Sequence, residues 1–260
     1  MKKSRFVFLL ILTFVFCSFS GIGSLEAAQG DDFTEILQQV DKMKTDGATY
    51  QDIEQFLNSK GIEVLARSTM TLDARGNEVG NISTRALSSN LRRVTNWITK
   101  DSGRYYAWVQ VERVRSLPAD ATYEDYPASY DLVSINWDPN VFTYVANGVS
   151  NNNMWLADAD QRNKGTILFN MYDNLSAGVE TVSAYAKLSA KKAQLTTTAV
   201  KYTHTYDKTE KTTTYTGSAN WKWGNAAEVG VNYSVTETNI EANWTKAETA
   251  NVTTTLESKK

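Results

Sequence analysis

Residues 94–114 have the sequence VTNWITKDSGRYYAWVQVERV, in which two extended segments flank the polar turn Asp101–Gly103. In the second segment, small and branched apolar side chains alternate with larger or polar ones. One face of a strand would carry Tyr105, Ala107, Val109 and Val111, and the other would carry Tyr106, Trp108, Gln110 and Glu112. Because successive side chains of a strand point to opposite faces, the pattern predicts two antiparallel strands joined by a tight turn.

The same alternation recurs downstream of residue 62. Its apolar faces are formed by Val133, Ile135 and Trp137, by Val182, Ala184, Ala186 and Leu188, and by Val200, Tyr202, His204 and Tyr206. Thr166–Tyr172 is almost continuously apolar, which is typical of a strand covered on both faces. Ala146–Lys164 has no clear period and is expected to form a long loop. Many short alternating strands with turns between them predict a mainly β protein, with an antiparallel β-sandwich over residues 62–260.

Residues 29–61 have a helical period instead. Apolar residues recur at spacings of three and four, on one helix face, as Phe33, Ile36, Leu37, Val40 and Met43. Thr49 and Asp52 have the spacing of a capping box that begins a second helix. Two helices of this length are not stable alone, so the sequence predicts a short N-terminal α-helical hairpin that docks on another part of the chain.

The first 28 residues have the organisation of a secretory signal peptide. A basic start with Lys2, Lys3 and Arg5 precedes the apolar run Phe6–Phe16, and small residues lead to Ala28. This run is shorter than the roughly 20 apolar residues that a membrane-spanning helix needs. The sequence therefore predicts a protein that is secreted after cleavage near Ala28.

Composition narrows the possible functions. The formal net charge is −2, and loss of the signal segment makes it about −4, which is unsuited to binding nucleic acid. His204 is the only histidine and no catalytic motif is present, so we predict no catalytic residue and no cofactor. The sequence indicates a non-enzymatic protein that binds an unidentified extracellular partner, which is a protein, a glycan or a membrane surface. It leaves the oligomeric state open.

Aromatic side chains in excess of what a core needs indicate where a ligand could bind. Trp108 shares its face with Gln110 and Glu112 and is expected at the surface, as are Tyr106, Tyr123 and Trp155. Exposed aromatic rings can stack on sugar rings. A carbohydrate-binding or glycoside-acting module is therefore an alternative function.

Residues 151–165 contain oxygen-bearing side chains at alternating positions, followed by a glycine. Asp158, Asp160 and Asn163 would be the ligands of a calcium ion, because Ca²⁺ prefers carboxylate and amide oxygens. Arg162 and Lys164 interrupt the pattern, and the glutamate that closes a twelve-residue calcium loop is missing. The pattern therefore predicts a calcium site without the usual loop.

Two resemblances add expectations. The segments Tyr130–Pro139, Val141–Tyr144 and Lys201–Tyr206 resemble exported β-rich proteins of Gram-positive bacteria that carry no assigned activity, which implies an extracellular sandwich and no catalytic residues. The threonine-rich segment Lys211–Thr236 is similar in composition to the strands of secreted aerolysin-like toxins. That resemblance implies a second alternative, a pore-forming protein that acts on membranes.

Overall fold

The computed structural model describes residues 32–73, 75–80, 91–115, 130–172, 178–206, 215–216, 219–220, 230–231, 234–235 and 242–254. The predicted signal peptide, residues 1–28, lies outside them. Two helices come first, α1 (Asp32–Thr45) and α2 (Tyr50–Ser59). The strands are β1 (Glu63–Leu72), β2 (Arg92–Asp101), β3 (Arg104–Arg115), β4 (Asp131–Trp137), β5 (Phe142–Val149), β6 (Met154–Asp158), β7 (Thr166–Met171), β8 (Gly178–Ala190), β9 (Leu195–Tyr206), β10 (Tyr215–Thr216), β11 (Ala219–Asn220), β12 (Gly230–Val231), β13 (Ser234–Val235) and β14 (Ala242–Thr253).

The long strands form two five-stranded antiparallel sheets. The first sheet has the order β1-β2-β3-β8-β5 and the second has the order β14-β9-β4-β7-β6. The main core lies between them and includes Val94, Ile98, Val109, Val111, Val133, Ile135, Trp137, Val182, Ala184, Val200 and Tyr202. The predicted β-sandwich with a short helical hairpin before it is therefore confirmed.

The turn between β2 and β3 shows how the local sequence sets the strand pairing. Asp101 pairs with Arg104, so only Ser102 and Gly103 form the loop. Both have positive φ, 44° and 76°, as a type I′ turn requires. This turn fixes the register that points Val109 and Val111 into the core.

The helical hairpin packs on the outer face of the first sheet. Thr49 and Asp52 make the predicted capping box, since the Thr49 hydroxyl accepts from the Asp52 amide and the Asp52 carboxylate accepts from the Thr49 amide. A second buried apolar cluster joins the hairpin to the sheet and contains Phe33, Leu37, Val40, Tyr50, Ile53, Leu57, Ile62, Trp97, Tyr106, Trp108 and Tyr185. The described residues therefore form three layers, which are the hairpin, the first sheet and the second sheet.

The prediction that Trp108 and Tyr106 lie at the surface is wrong, because the helical hairpin covers them. Trp108 is 0% exposed and Tyr106 is 4% exposed. The Trp108 ring stacks on Trp97 at 4.8 Å, and Phe33 of α1 stacks on Tyr106 at 3.9 Å. Polar neighbours on the same face suggested solvent exposure, but the hairpin covers that face.

The prediction of a long loop over Ala146–Lys164 is also wrong. The second half of β5, all of β6 and a 3₁₀ turn at Arg162–Lys164 occupy this stretch. Both strands lie at sheet edges, where each pairs with one neighbour only, and both pairings contain a register shift. An edge strand with a bulge need not show regular alternation.

Gly165 ends the 3₁₀ turn with φ +86°, and a Cβ there would lie 2.1 Å from the Trp137 carbonyl oxygen. We expect Gly165→Ala to lower the free energy of unfolding by about 2–3 kcal/mol, since it adds backbone strain to a clash with backbone. Gly61→Ala is the control, because Gly61 also has positive φ but open space around it. Urea unfolding curves measure the loss in each variant. Equal losses of stability in the two variants would show that the clash with the Trp137 carbonyl does not add to the cost.

The described residues of the threonine-rich segment form two short antiparallel strand pairs, β10–β13 and β11–β12. Tyr215 pairs with Val235, and Asn220 pairs with Gly230. The strand Gly230–Val231 contacts β4 and β9, so the pair β11–β12 lies against the second sheet. Within the described ranges, neither helix has the length and apolar character needed to cross a bilayer.

Candidate functional site

Three aromatic side chains form an exposed cluster at one end of the second sheet. Tyr130 lies 4.5 Å from Trp155 and 5.3 Å from Tyr172, and Trp155 lies 4.7 Å from Tyr172, measured between ring centroids. Both tyrosines are 43% exposed, and Trp155 is half-buried. We call Tyr130, Trp155 and Tyr172 the aromatic platform.

Strand register brings the platform together. Asp131 and Met154 both pair with Met171, and all three side chains are fully buried. Tyr130, Trp155 and Tyr172 each follow or precede one of these residues, so alternation turns them to the opposite, outer face. The Tyr172 amide also donates to the Asn153 carbonyl at 2.9 Å, which holds the end of β7 against β6.

A network of charged and polar side chains supports the platform from behind. The Arg113 guanidinium donates to the Tyr172 carbonyl and, at 2.6 Å, to Glu180. Glu180 in turn accepts from the Asn153 side chain. Through these bonds, Arg113 of β3 and Glu180 of β8 hold Tyr172 and Asn153 in place. The segments that carry the aromatic rings are therefore attached to the first sheet.

The same network continues into the core through Asp131. Its carboxylate binds His204 Nδ1 at 2.9 Å and accepts from the Tyr202 hydroxyl, and Arg113 Nη1 lies 3.8 Å away. Burial opposes ionisation of Asp131, but the attraction of His204, Arg92 and Arg113 outweighs it and lowers the pKa of Asp131 to about 2. Asp131, which follows Tyr130 in the chain, is therefore a buried carboxylate that holds this end of β4 in place.

Of the predicted ligand-binding residues, only Trp155 belongs to the platform. Trp108 and Tyr106 are buried beneath the hairpin, and Tyr123 lies outside the described residues. The sequence interpretation missed Tyr130 and Tyr172 as partners of Trp155. Tyr130 precedes the inward-facing Asp131, and Tyr172 follows the inward-facing Met171. Alternation along each strand could therefore have predicted that both tyrosines face outwards.

Of the predicted calcium ligands, Asp158 is the last residue of β6, Asp160 follows it, and Asn163 lies in the 3₁₀ turn. The Asp158 carboxylate accepts from the Asp160 amide at 2.6 Å, and Asp160 and Asn163 are exposed. Across the described residues, no three His, Cys, Asp or Glu side chains are grouped as metal ligands. Binding of calcium by Asp158, Asp160 and Asn163 stays a prediction.

Neither a protein-family model nor a curated protein matches this chain. Among solved structures, a cohesin module of a Clostridium perfringens family 33 glycoside hydrolase has TM-score 0.27 and 8% identity over 39% of this chain and 72% of the module. The C-terminal domain of the Streptococcus agalactiae polypeptide BspA has TM-score 0.28 and 7% identity, over 53% of this chain and 45% of the domain. The Streptococcus parasanguinis Fap1 fimbriae structure has TM-score 0.28 and 10% identity, over 72% and 94%. Similarity this low does not identify the function of this chain.

Proposed function

We propose that this chain is an exported, non-enzymatic protein that binds a saccharide on the aromatic platform. The observation that carries the proposal is the clustering of Tyr130, Trp155 and Tyr172 with 43% of each tyrosine exposed. Aromatic residues of this size normally bury their surface, so an exposed group on a rigid base is a candidate contact site.

The polar groups around the platform favour a sugar over a purely apolar partner. Asn151 and Asn152 are exposed in the turn that leads into β6, and Asn153 and Glu180 stand beside Tyr172. A saccharide offers C–H faces that stack on aromatic rings and hydroxyl groups that bond with amides and carboxylates. Export through the predicted signal peptide would place the site where extracellular glycans occur.

The buried histidine supports binding rather than catalysis. His204 is 0% exposed and bonded to Asp131, so a substrate at the platform would not reach its ring. Glu180 is paired with Arg113, which also donates to the Tyr172 carbonyl. Both groups contribute to the base beneath the aromatic rings.

Trp155→Ala tests the proposal. Isothermal titration of the chain without its first 28 residues would use chitohexaose, cellohexaose and soluble peptidoglycan fragments as probes. We expect at least one to bind, and the variant to weaken that binding about tenfold or more, because a stacked ring contributes on the order of 1 kcal/mol beyond its buried area.

Leu195→Ala is the matched control. Leu195 is 51% exposed and lies at the end of the second sheet opposite to the platform, so its removal should leave the affinity unchanged. Absence of binding to all three probes, or equal affinity of Trp155→Ala and the parent protein, would overturn the proposal.

The short strand pairs β10–β13 and β11–β12 favour a second candidate, a protein whose hairpin inserts into membranes. Both pairs are separate from the two five-stranded sheets, and Gly230–Val231 contacts β4 and β9. Dye release from phosphatidylcholine–phosphatidylglycerol vesicles, together with SDS-resistant oligomers, would support this candidate. If the protein binds a saccharide in the titration but releases no dye from the vesicles, this second candidate is excluded.

A further inference from the structure

A carboxyl group is buried where the helical hairpin meets the first sheet. Asp41 of α1 is 5% exposed. Its Oδ1 accepts from the Gln110 side chain of β3 at 3.0 Å and from the Ser183 hydroxyl of β8 at 2.6 Å. Ser150, which follows β5, adds a further hydroxyl contact. All three partners are uncharged donors.

The charged side chains near Asp41 form ion pairs with one another. Lys44, one turn further along α1, lies 3.2 Å from Glu112 of β3, and Arg93 of β2 lies 3.2 Å from the same carboxylate. Asp41 is therefore a buried acid whose described contacts from α1, β3, β5 and β8 include no cation. Its charged form costs free energy whenever the hairpin is docked.

We propose that the helical hairpin is a pH-dependent cover, which docks most tightly when Asp41 is protonated and loosens towards neutral pH, uncovering the aromatic face of Trp97, Tyr106, Trp108 and Tyr185. The neutral acid can still accept from Gln110 and Ser183.

The direction of the effect follows from linkage between proton uptake and docking. Burial raises the pKa of Asp41 from 3.8 to about 6, with the hydrogen bonds of its partners working against that rise. The docked state therefore holds the proton more strongly than the undocked state. Docking is most favourable below pH 3.8 and weakens as pH rises through 6, by about 100-fold in the opening equilibrium.

Hydrogen exchange of the α1 and α2 amides, corrected for intrinsic rates, measures this opening in the full chain. Between pH 4 and pH 8 we expect the opening constant of the hairpin to rise by up to about 100-fold relative to that of the core strand β3. A constant ratio across this range would overturn the proposal from the parent protein alone.

Asp41→Asn keeps an oxygen acceptor and removes the charge. We expect this variant to have a hairpin opening constant that no longer changes with pH, with protection at pH 8 close to that of the parent at pH 4. Asp46→Asn is the matched control, because Asp46 is an exposed carboxyl on the same hairpin, paired with Lys42; it should retain the parent's pH dependence. A pH dependence in Asp41→Asn equal to the parent's would assign the effect to another group, such as Lys44, and reject the proposal.

Discussion

Trp108→Ala should lower the free energy of unfolding by about 3–5 kcal/mol and release the helical hairpin from the sheet. The indole is 0% exposed and stacks in parallel on Trp97, with centroids 4.8 Å apart. Phe33 of α1 meets it edge-on at 6.3 Å. Truncation opens a cavity between two layers, where neither the sheet nor the capped hairpin can collapse freely to fill it.

The loss should come from packing rather than from a broken hydrogen bond. None of the described residues accepts a hydrogen bond from Trp108 Nε1, so truncation leaves no orphaned partner. Urea unfolding followed by circular dichroism would give the free energy, and hydrogen exchange would show whether α1 and α2 lose protection first. Trp155→Ala is the comparison, because Trp155 is half-buried at the platform; we expect it to cost less than about 1.5 kcal/mol. Equal losses in the two variants would contradict the buried role of Trp108.

Alternation in the sequence was sufficient to predict which residues share each face of the inner strands. Tyr105, Ala107, Val109 and Val111 are together in the core, as their spacing indicated. It could not predict what covers the opposite face of β3, because that depends on where the hairpin docks. Gln110 and Glu112 suggested solvent, yet both are buried, since Asp41 and Lys44 of α1 supply their partners.

The platform shows the same limit of local patterns. Trp155 was identified from the sequence, but its neighbours Tyr130 and Tyr172 are brought to it by the pairing of Asp131 and Met154 with Met171. Those pairings depend on the order of the strands in the sheet, and the alternation of residues within one strand does not reveal that order. The second half of β5 and all of β6 were missed for a related reason, since a strand with one neighbour and a bulge tolerates irregular polarity.

The second large effect is expected at Asp131, where Asp131→Asn should cost about 3–5 kcal/mol of stability near pH 7. The amide has the volume of the carboxyl, so the cost arises from charge rather than from a cavity. Without the carboxylate, His204 loses its 2.9 Å partner, and Arg92 and Arg113 lose the negative charge that they face. Removing the negative charge from a buried ionic network leaves its positive groups less compensated in a medium that solvates them poorly, although Arg113 keeps Glu180.

Acid unfolding provides a second measurement of the same interaction. Because the pKa of Asp131 is lowered from 3.8 to about 2, its charge contributes stability that is fully present above pH 3.8 and is lost as pH falls through 2, by about 2 kcal/mol. The stability gap between the parent and Asp131→Asn should therefore narrow between pH 4 and pH 2. Asp160→Asn, which alters an exposed carboxyl near the same sheet, should change stability by less than about 0.5 kcal/mol in calcium-free buffer. A gap that stays constant down to pH 2 would show that Asp131 supports the fold through its shape and hydrogen bonds rather than through its charge.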